Sequence, residues 1–264
     1  MTLSPRLDKT KIKQSFSAAA GSYDAAAALQ RQAGNALLAK FPPQPAGGVI
    51  LDLGCGTGYL SGQLAALTEP SLLLALDIAQ PMLTACRQKN PRLAGRLVGA
   101  DAEKLPFARQ SIRQIYSNLA LQWCQDLAAV FSDCRRVLQT GGQLVFATFG
   151  PATLWELKAA WASVDSFTHV NQFYSLTQIN NFLRQAGFES ISAETAGYQS
   201  RYASVPTLMR ELKALGAHNV NLHRNRQPTT RRQLQQMINY YQNSFSAGTK
   251  VVASYEIIFI RAER

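Results

Sequence analysis

Apolar residues follow two rhythms along this chain of 264 residues. Near the start, Ile12, Phe16 and Ala19 recur at helical spacing, after a Lys9, Lys11, Lys13 cluster, and predict a helix over 9–20. A second helix is expected over 24–40, with Leu29, Ala33, Leu37 and Phe41 on one side and Ser22 as its cap. The stretch Pro42-Pro43-Gln44-Pro45-Ala46-Gly47-Gly48 breaks that pattern and reads as a boundary. Short apolar runs then alternate with helical segments. Runs at 49–53, 72–76, 96–99, 115–117 and 143–149 predict strands, with helices such as 57–67, 80–89 and 126–138 between them. Strands that alternate with helices argue for an α/β fold, a parallel sheet covered on both faces.

The last third is less regular. Segments 153–164 and 176–186 read as helices, the latter stopped by Gly187, and a strand lies within 188–203. Helices are expected over 206–215 and 230–245, and a final strand over 251–260. The expected architecture is a sheet of seven mostly parallel strands with one antiparallel edge strand. An N-terminal helical cap covers 1–45, the α/β core 46–204, a helical lid insertion between the last two strands 205–249, and a final core strand and tail 250–264.

Composition narrows the class. Apolar residues make up 47% and charged residues 16%, a globular mix. No run of about 18 apolar residues exists to span a membrane. The first 20 residues contain no apolar core of a secretion signal. Cys55, Cys86, Cys124 and Cys134 are scattered without a CxxC pair or nearby His ligands, so reduced thiols, no metal site and a cytoplasmic location are expected. The net charge of +11 is unevenly placed. Residues 41–200 carry 11 basic and 11 acidic side chains, residues 1–40 carry a net +4, and residues 201–264 a net +7. A neutral core with basic ends suits an anionic partner, or a solvated basic surface that keeps the chain soluble.

The strongest local signal is Asp52-Leu53-Gly54-Cys55-Gly56-Thr57-Gly58, after an apolar strand and before a helix. Gly54 and Gly56 permit backbone conformations and a close ligand approach that a Cβ would obstruct. The helix that follows offers free amides to an anionic group. The spacing is G-x-G-x-G rather than the dinucleotide G-x-G-x-x-G, and the P-loop Lys-Ser/Thr pair is absent. Asp77 ends the second strand, 19 residues after Gly58, where a carboxylate can accept two hydrogen bonds from a ribose diol.

The Asp52–Gly58 segment resembles motif I of the class I S-adenosylmethionine (SAM)-dependent methyltransferases, and the resemblance implies their Rossmann-like fold. It places the methionine end of SAM at Gly54, Cys55 and Gly56 beneath Asp52, and the ribose on Asp77. Asp101-Ala102, with Glu103, resembles the adenine-binding segment. Ile78 and Met82 would flank the adenine and read equally well as core. Asn118 and Leu119 follow strand four, where the family's transferred methyl points. The family's Asn/Asp-Pro-Pro-aromatic signature for base amines is missing there, which argues against nucleic acid as acceptor.

A closer resemblance spans about 9–260. Phe16-Ser17, Ser22-Tyr23-Asp24, Leu29-Gln30-Arg31, Leu119-Ala120-Leu121-Gln122-Trp123-Cys124, Val164-Asp165, His169-Val170-Asn171 and Leu212-Lys213-Ala214-Leu215-Gly216-Ala217 occur in the order found in the malonyl-acyl-carrier-protein O-methyltransferases of biotin synthesis. The resemblance implies SAM as methyl donor, a malonyl group on acyl carrier protein as partner, and no membrane. It adds Phe16, Tyr23 and Gln30 to the SAM site. The match fades over 218–250, where Arg224–Arg232 departs from an expected glycine-containing segment; Arg113 and Thr140 also replace a usual acidic residue and a usual Pro. A malonyl carboxylate is already ionised at pH 7, so no general base is needed. The candidates for positioning it are Tyr23, Trp123, His169, Arg201, Arg210 and Lys213. A methyltransferase for another small carboxylic acid or for RNA, and a non-catalytic SAM-binding protein, are the alternatives.

Overall fold

A computed structural model describes residues 7–44, 47–68, 73–217 and 229–264. Three helices lead into the sheet: α1 (Lys9–Ala19), α2 (Tyr23–Ala26) and α3 (Ala28–Lys40). Asp8 caps α1 by accepting from the Lys11 amide at 3.2 Å. The helix expected over 24–40 is split at Ala27, beside Asp24, whose carboxylate accepts from Thr57 Oγ1 at 2.7 Å and pairs with Lys89. Ser22 does not cap it: its hydroxyl donates to the carbonyls of Ala19 and Ala214.

The βα units follow as β1 (Ile50–Leu53), α4 (Tyr59–Leu67), β2 (Leu73–Asp77), α5 (Gln80–Lys89), β3 (Leu97–Gly99), β4 (Ile112–Asn118), α6 (Leu127–Val137) and β5 (Leu138–Phe149). Then come α7 (Trp155–Ala162), α8 (Leu176–Gln185), β6 (Ile191–Tyr202), α9 (Val205–Ala214), α10 (Arg231–Ser244), β7 (Ser246–Ala247) and β8 (Lys250–Glu263). The sheet runs β3-β2-β1-β4-β5-β8-β6, and β7 pairs with the start of β8. The first five strands are parallel; β8 is antiparallel to both β5 and β6. Pro42 to Gln44 and Gly47 to Val49 carry no helix or strand; Pro45 and Ala46 lie outside the described residues.

Two expectations are corrected. The sheet has eight strands, counting the two-residue β7, and the antiparallel strand is not at the edge. β8 buries Ile257, Ile258, Phe259 and Ile260 in succession, a pattern for a strand covered on both faces. β6 alternates half-buried with exposed positions such as Glu194 and Arg201, and takes the edge. The helix expected from 153 starts at Trp155. Thr153 Oγ1 donates to the Glu256 carbonyl at 3.0 Å and the Leu154 amide to the Ser254 carbonyl at 2.7 Å, tying both residues to β8 instead.

One sheet face packs on α3, α4 and α5 through Leu37, Leu60, Leu64, Leu83 and Cys86, and extends to α7, α9 and α10. The other packs on α6 and α8 through Val130, Phe131, Ile179 and Leu183. The two departures Arg113 and Thr140 meet here, Arg113 donating to the Thr140 carbonyl at 3.1 Å. α9 and α10 lie between β6 and β8, and α9 packs against α2.

Candidate active site

The sheet order reverses direction between β1 and β4, and in such sheets ligands bind beyond the carboxyl ends of the strands. At the end of β1 the amides of Gly54 and Cys55 both donate to the Leu76 carbonyl, at 2.8 and 2.9 Å, bending the chain over β2. Gly54 sits at φ +75°, and a Cβ there would lie 2.4 Å from the Ala120 Cβ. Gly56 sits at φ +53° with nothing within 4 Å of where its Cβ would be, so it forms an open rim. Its amide donates to Asp77 Oδ2 at 2.9 Å, and the Ala79 amide to Oδ1 at 2.8 Å. Burial raises the Asp77 carboxyl above its ordinary value, opposed by these amides and that of Ile78.

A cleft of about 760 Å³, counting its open mouth, runs along these strand ends. The size is ordinary for a small-molecule site. Gly54, Gly56, Asp77, Ile78 and Met82 form one side, Asp101, Ala102 and Glu103 the far end, and Asn118, Leu119 and Trp123 the side next to β4. Phe16 and Tyr23 close it from the N-terminal helices. Phe16 meets the Trp123 ring edge-on at 5.3 Å, and burial, then the Asp77 charge, raises the Tyr23 phenol. Gln30, Asp52 and Cys55 line a smaller adjoining cavity that shares Tyr23, Gly54, Gly56 and Asn118 with the cleft. Asp52 is buried beneath the loop, accepts from Ser61 Oγ at 2.5 Å, and is pushed up to about 7 by burial.

Sequence reasoning missed Lys9, whose ammonium lies 2.7 Å from both Asp101 Oδ2 and Glu103 Oε2. Lys9, Ile12 and Phe16 all line the cleft, and their spacing along α1 was the available signal. Two amide oxygens, Gln30 Oε1 and Asn118 Oδ1, are buried without a hydrogen-bond partner among the described residues.

A side pocket adjoins the cleft, with Trp123 lining both. Its walls come from α3 (Leu29, Gln30), Phe149 at the end of β5, the turn and helix with Thr153, Leu154 and Leu157, and Tyr255 of β8. The loop before α8 adds His169, Val170, Asn171 and Phe173, and α9 with its C-terminal turn adds Glu211, Leu212, Leu215 and Ala217. His169 lines this pocket, whereas Arg201, Arg210 and Lys213 line neither cavity. Arg201 is on an exposed position of β6. On α9 the buried side is Val205 and Leu208, continued by Leu215, which leaves Arg210 and Lys213 exposed. Of the Arg224–Arg232 segment, Arg231 and Arg232 are exposed at the start of α10, whereas Arg224 and Arg226 lie outside the described residues.

Among the described residues no three His, Cys, Asp or Glu side chains cluster as a metal site, and no helix is long and apolar enough to cross a membrane. Residues 51–146 match the model of a methyltransferase domain family. A malonyl-acyl-carrier-protein O-methyltransferase of Methylococcus capsulatus is 43% identical, over 97% of this chain and 94% of that protein. The biotin biosynthesis bifunctional protein BioHC of Cellvibrio japonicus is 40% identical over 98% of this chain, which spans about half (51%) of that longer protein. Among solved structures, an S-adenosylmethionine-dependent methyltransferase of Mesorhizobium loti superposes with a TM-score of 0.52 at 21% identity, over 87% of this chain and 96% of that one.

Proposed function

The chain belongs to the malonyl-acyl-carrier-protein O-methyltransferase family, and on that premise we propose that it methylates the free carboxylate of a malonyl thioester on acyl carrier protein. The product, a malonyl methyl ester, starts pimeloyl and biotin synthesis. The observation that carries this reading is that Trp123 lines two cavities, a polar-ended cleft beyond the parallel strands and a largely apolar pocket.

The cleft fits SAM. Asp77 keeps lone pairs for ribose hydroxyls beyond the two amides it already accepts. The unpartnered Gln30 and Asn118 oxygens are acceptors suited to the donor's ammonium, and the open face of Gly56 admits close approach of its backbone. Ile78 and Met82 supply apolar surface for a base, next to Asp101. When bound, SAM supplies an electrophilic methyl on a sulfonium, which a carboxylate oxygen takes as the carbon–sulfur bond breaks, with no proton moved. The work left to the protein is therefore alignment and exclusion of water. Phe16, Tyr23 and Trp123, which line the cleft, serve the second task.

The basic ends suit an acidic carrier. Lys11 and Lys13 lie on α1, which lines the cleft through other residues, and the exposed Arg210 and Lys213 lie on α9, which lines the pocket through Glu211 and Leu212. Transfer of labelled methyl to malonyl-carrier, malonyl-CoA and RNA tests the reading. Base-labile label on malonyl-carrier is expected, with less on malonyl-CoA; label on RNA alone, or none on either acyl acceptor, overturns it.

A further inference from the structure

At the far end of the strand-end cleft one cation meets two carboxylates. Lys9, the first residue of α1, places its ammonium 2.7 Å from Asp101 Oδ2 and 2.7 Å from Glu103 Oε2. All three residues line the cleft. The other oxygen of each carboxylate is held by backbone. The Glu103 amide donates to Asp101 Oδ1 at 2.9 Å, and the Gln125 amide to Glu103 Oε1 at 2.6 Å. Burial works against the Lys9 ammonium, but the two carboxylates outweigh it and raise its pKa above the ordinary lysine value. The backbone that carries Lys9 is itself anchored: Asp8 caps α1, and Leu7 and Ile12 are buried against Phe16 and Trp123.

We infer that Lys9 is a positioning residue for the methyl donor: its ammonium holds the Asp101 carboxylate in the orientation that accepts from the exocyclic amino group of the adenine. The inference deepens the proposed function and rests on its placement of SAM in the cleft. Asp101 and Glu103 share one cation, so they lie close together and would repel one another without it. Asp101 keeps 35% of its side chain accessible against 14% for Glu103, so Asp101 is the carboxylate open to a ligand and Glu103 the second anchor of Lys9. A carboxylate oxygen has room for two donors. Oδ1 and Oδ2 of Asp101 each take one from this chain and can each take one more. The ammonium has only hydrogen-bond donors, as has the amino group, so its effect on that group runs through Asp101. Removing the ammonium leaves Asp101 fixed at one oxygen only and facing a like charge. No proton moves, and no covalent bond to Lys9 forms or breaks.

The test is calorimetry with S-adenosylhomocysteine and with its purine analogue, in which hydrogen replaces the amino group. The proteins are wild type, Lys9→Met, Lys9→Arg, Asp101→Ala and the double variant of Lys9→Met with Asp101→Ala, each shown to be folded by its melting without ligand. Lys9→Met keeps the stem of the side chain and removes its charge. It should weaken S-adenosylhomocysteine roughly 3- to 10-fold, the worth of two partly screened ion pairs, and change the purine analogue by less than about twofold. Lys9→Arg should restore most of the loss. Asp101→Ala should weaken S-adenosylhomocysteine at least as much, and adding Lys9→Met to it should change nothing further. An equal loss on both ligands would mean that Lys9 only fastens α1 or meets the ring itself. That result, additive losses in the double variant, unchanged affinity in Lys9→Met, or tighter binding because Lys9 competes with the base, overturns the inference and leaves the proposed function standing. A wild type that binds both ligands equally removes adenine from Asp101 and the inference with it; one that binds neither removes the donor site on which the proposed function rests.

Discussion

The strand-end cleft draws its polar groups from the carboxyl ends of four parallel strands, at Gly54, Asp77, Asp101 and Asn118. The side pocket draws its groups from α3, α7, α9, β8 and the loop before α8, residues more than 200 positions apart in the chain. In the cleft the backbone sets much of the shape, through a bent loop and amides aimed at Asp77. In the pocket side chains set it, on elements whose mutual placement depends on tertiary packing. Glycine substitutions in the cleft should therefore act through the backbone, and substitutions in the pocket through side-chain chemistry.

Gly54 and Gly56 sharpen that contrast most. Gly54→Val adds a left-handed strain and a collision with Ala120, together on the order of 3–5 kcal/mol, and should lower the melting temperature and abolish SAM binding. Gly56→Ala meets no protein atom, so its stability cost should be only the strain, about 1–2 kcal/mol, while SAM affinity falls because the new methyl occupies the open rim. Thermal unfolding with and without SAM separates the two.

Asp52 tests the burial side of the argument. Its folded pKa of about 7 lies above the ordinary carboxylate value, so the folded state holds a proton that the unfolded state has lost. Its stabilising contribution is complete below about pH 4 and is lost as pH rises to about 7, up to roughly 4 kcal/mol. Denaturant unfolding at pH 5 and pH 8 should show wild type losing stability relative to Asp52→Asn. A constant difference between them would contradict the assignment of a costly buried charge.

Asp77→Ala should lower SAM affinity by roughly 10- to 100-fold, the worth of a charge-assisted hydrogen bond to a ribose hydroxyl, as read by calorimetry. The smallest effect expected is at the rim of the insertion. Reversing the exposed Arg231 and Arg232 to Glu should raise KM for malonyl-carrier a few-fold and weaken its salt dependence, while malonyl-CoA turnover is unchanged.

The same contrast explains what was legible in the sequence. The Asp52–Gly58 loop and Asp77 could be read because a strand-to-helix bend admits few residue types, so the backbone requirement is written into the residues. The strand and helix order was legible from apolar periodicity up to β5, whereas the antiparallel strand was expected at the edge although the run Ile257-Ile258-Phe259-Ile260 marks β8 as interior. Charge could not show whether Arg201, Arg210 or Lys213 lines a cavity, because a cation's presence on α9 or β6 does not say which way it faces. Tyr255 and Glu211 left no signal: each reaches the pocket only because β8 and α9 pack where they do. Lys9 was legible as part of a basic cluster, but its pairing with Asp101 and Glu103 spans more than 90 residues and needed the fold.

The central claim is that two cavities of different construction meet at Trp123, one for the methyl donor and one for the acid. A crystal structure of the chain with S-adenosylhomocysteine and malonyl-CoA tests it most directly. The account predicts ribose hydroxyls on Asp77, the homocysteine sulfur facing Trp123, and the malonyl carboxylate in the side pocket. A malonyl group bound outside that pocket, or an adenosyl group away from Asp77, would contradict it.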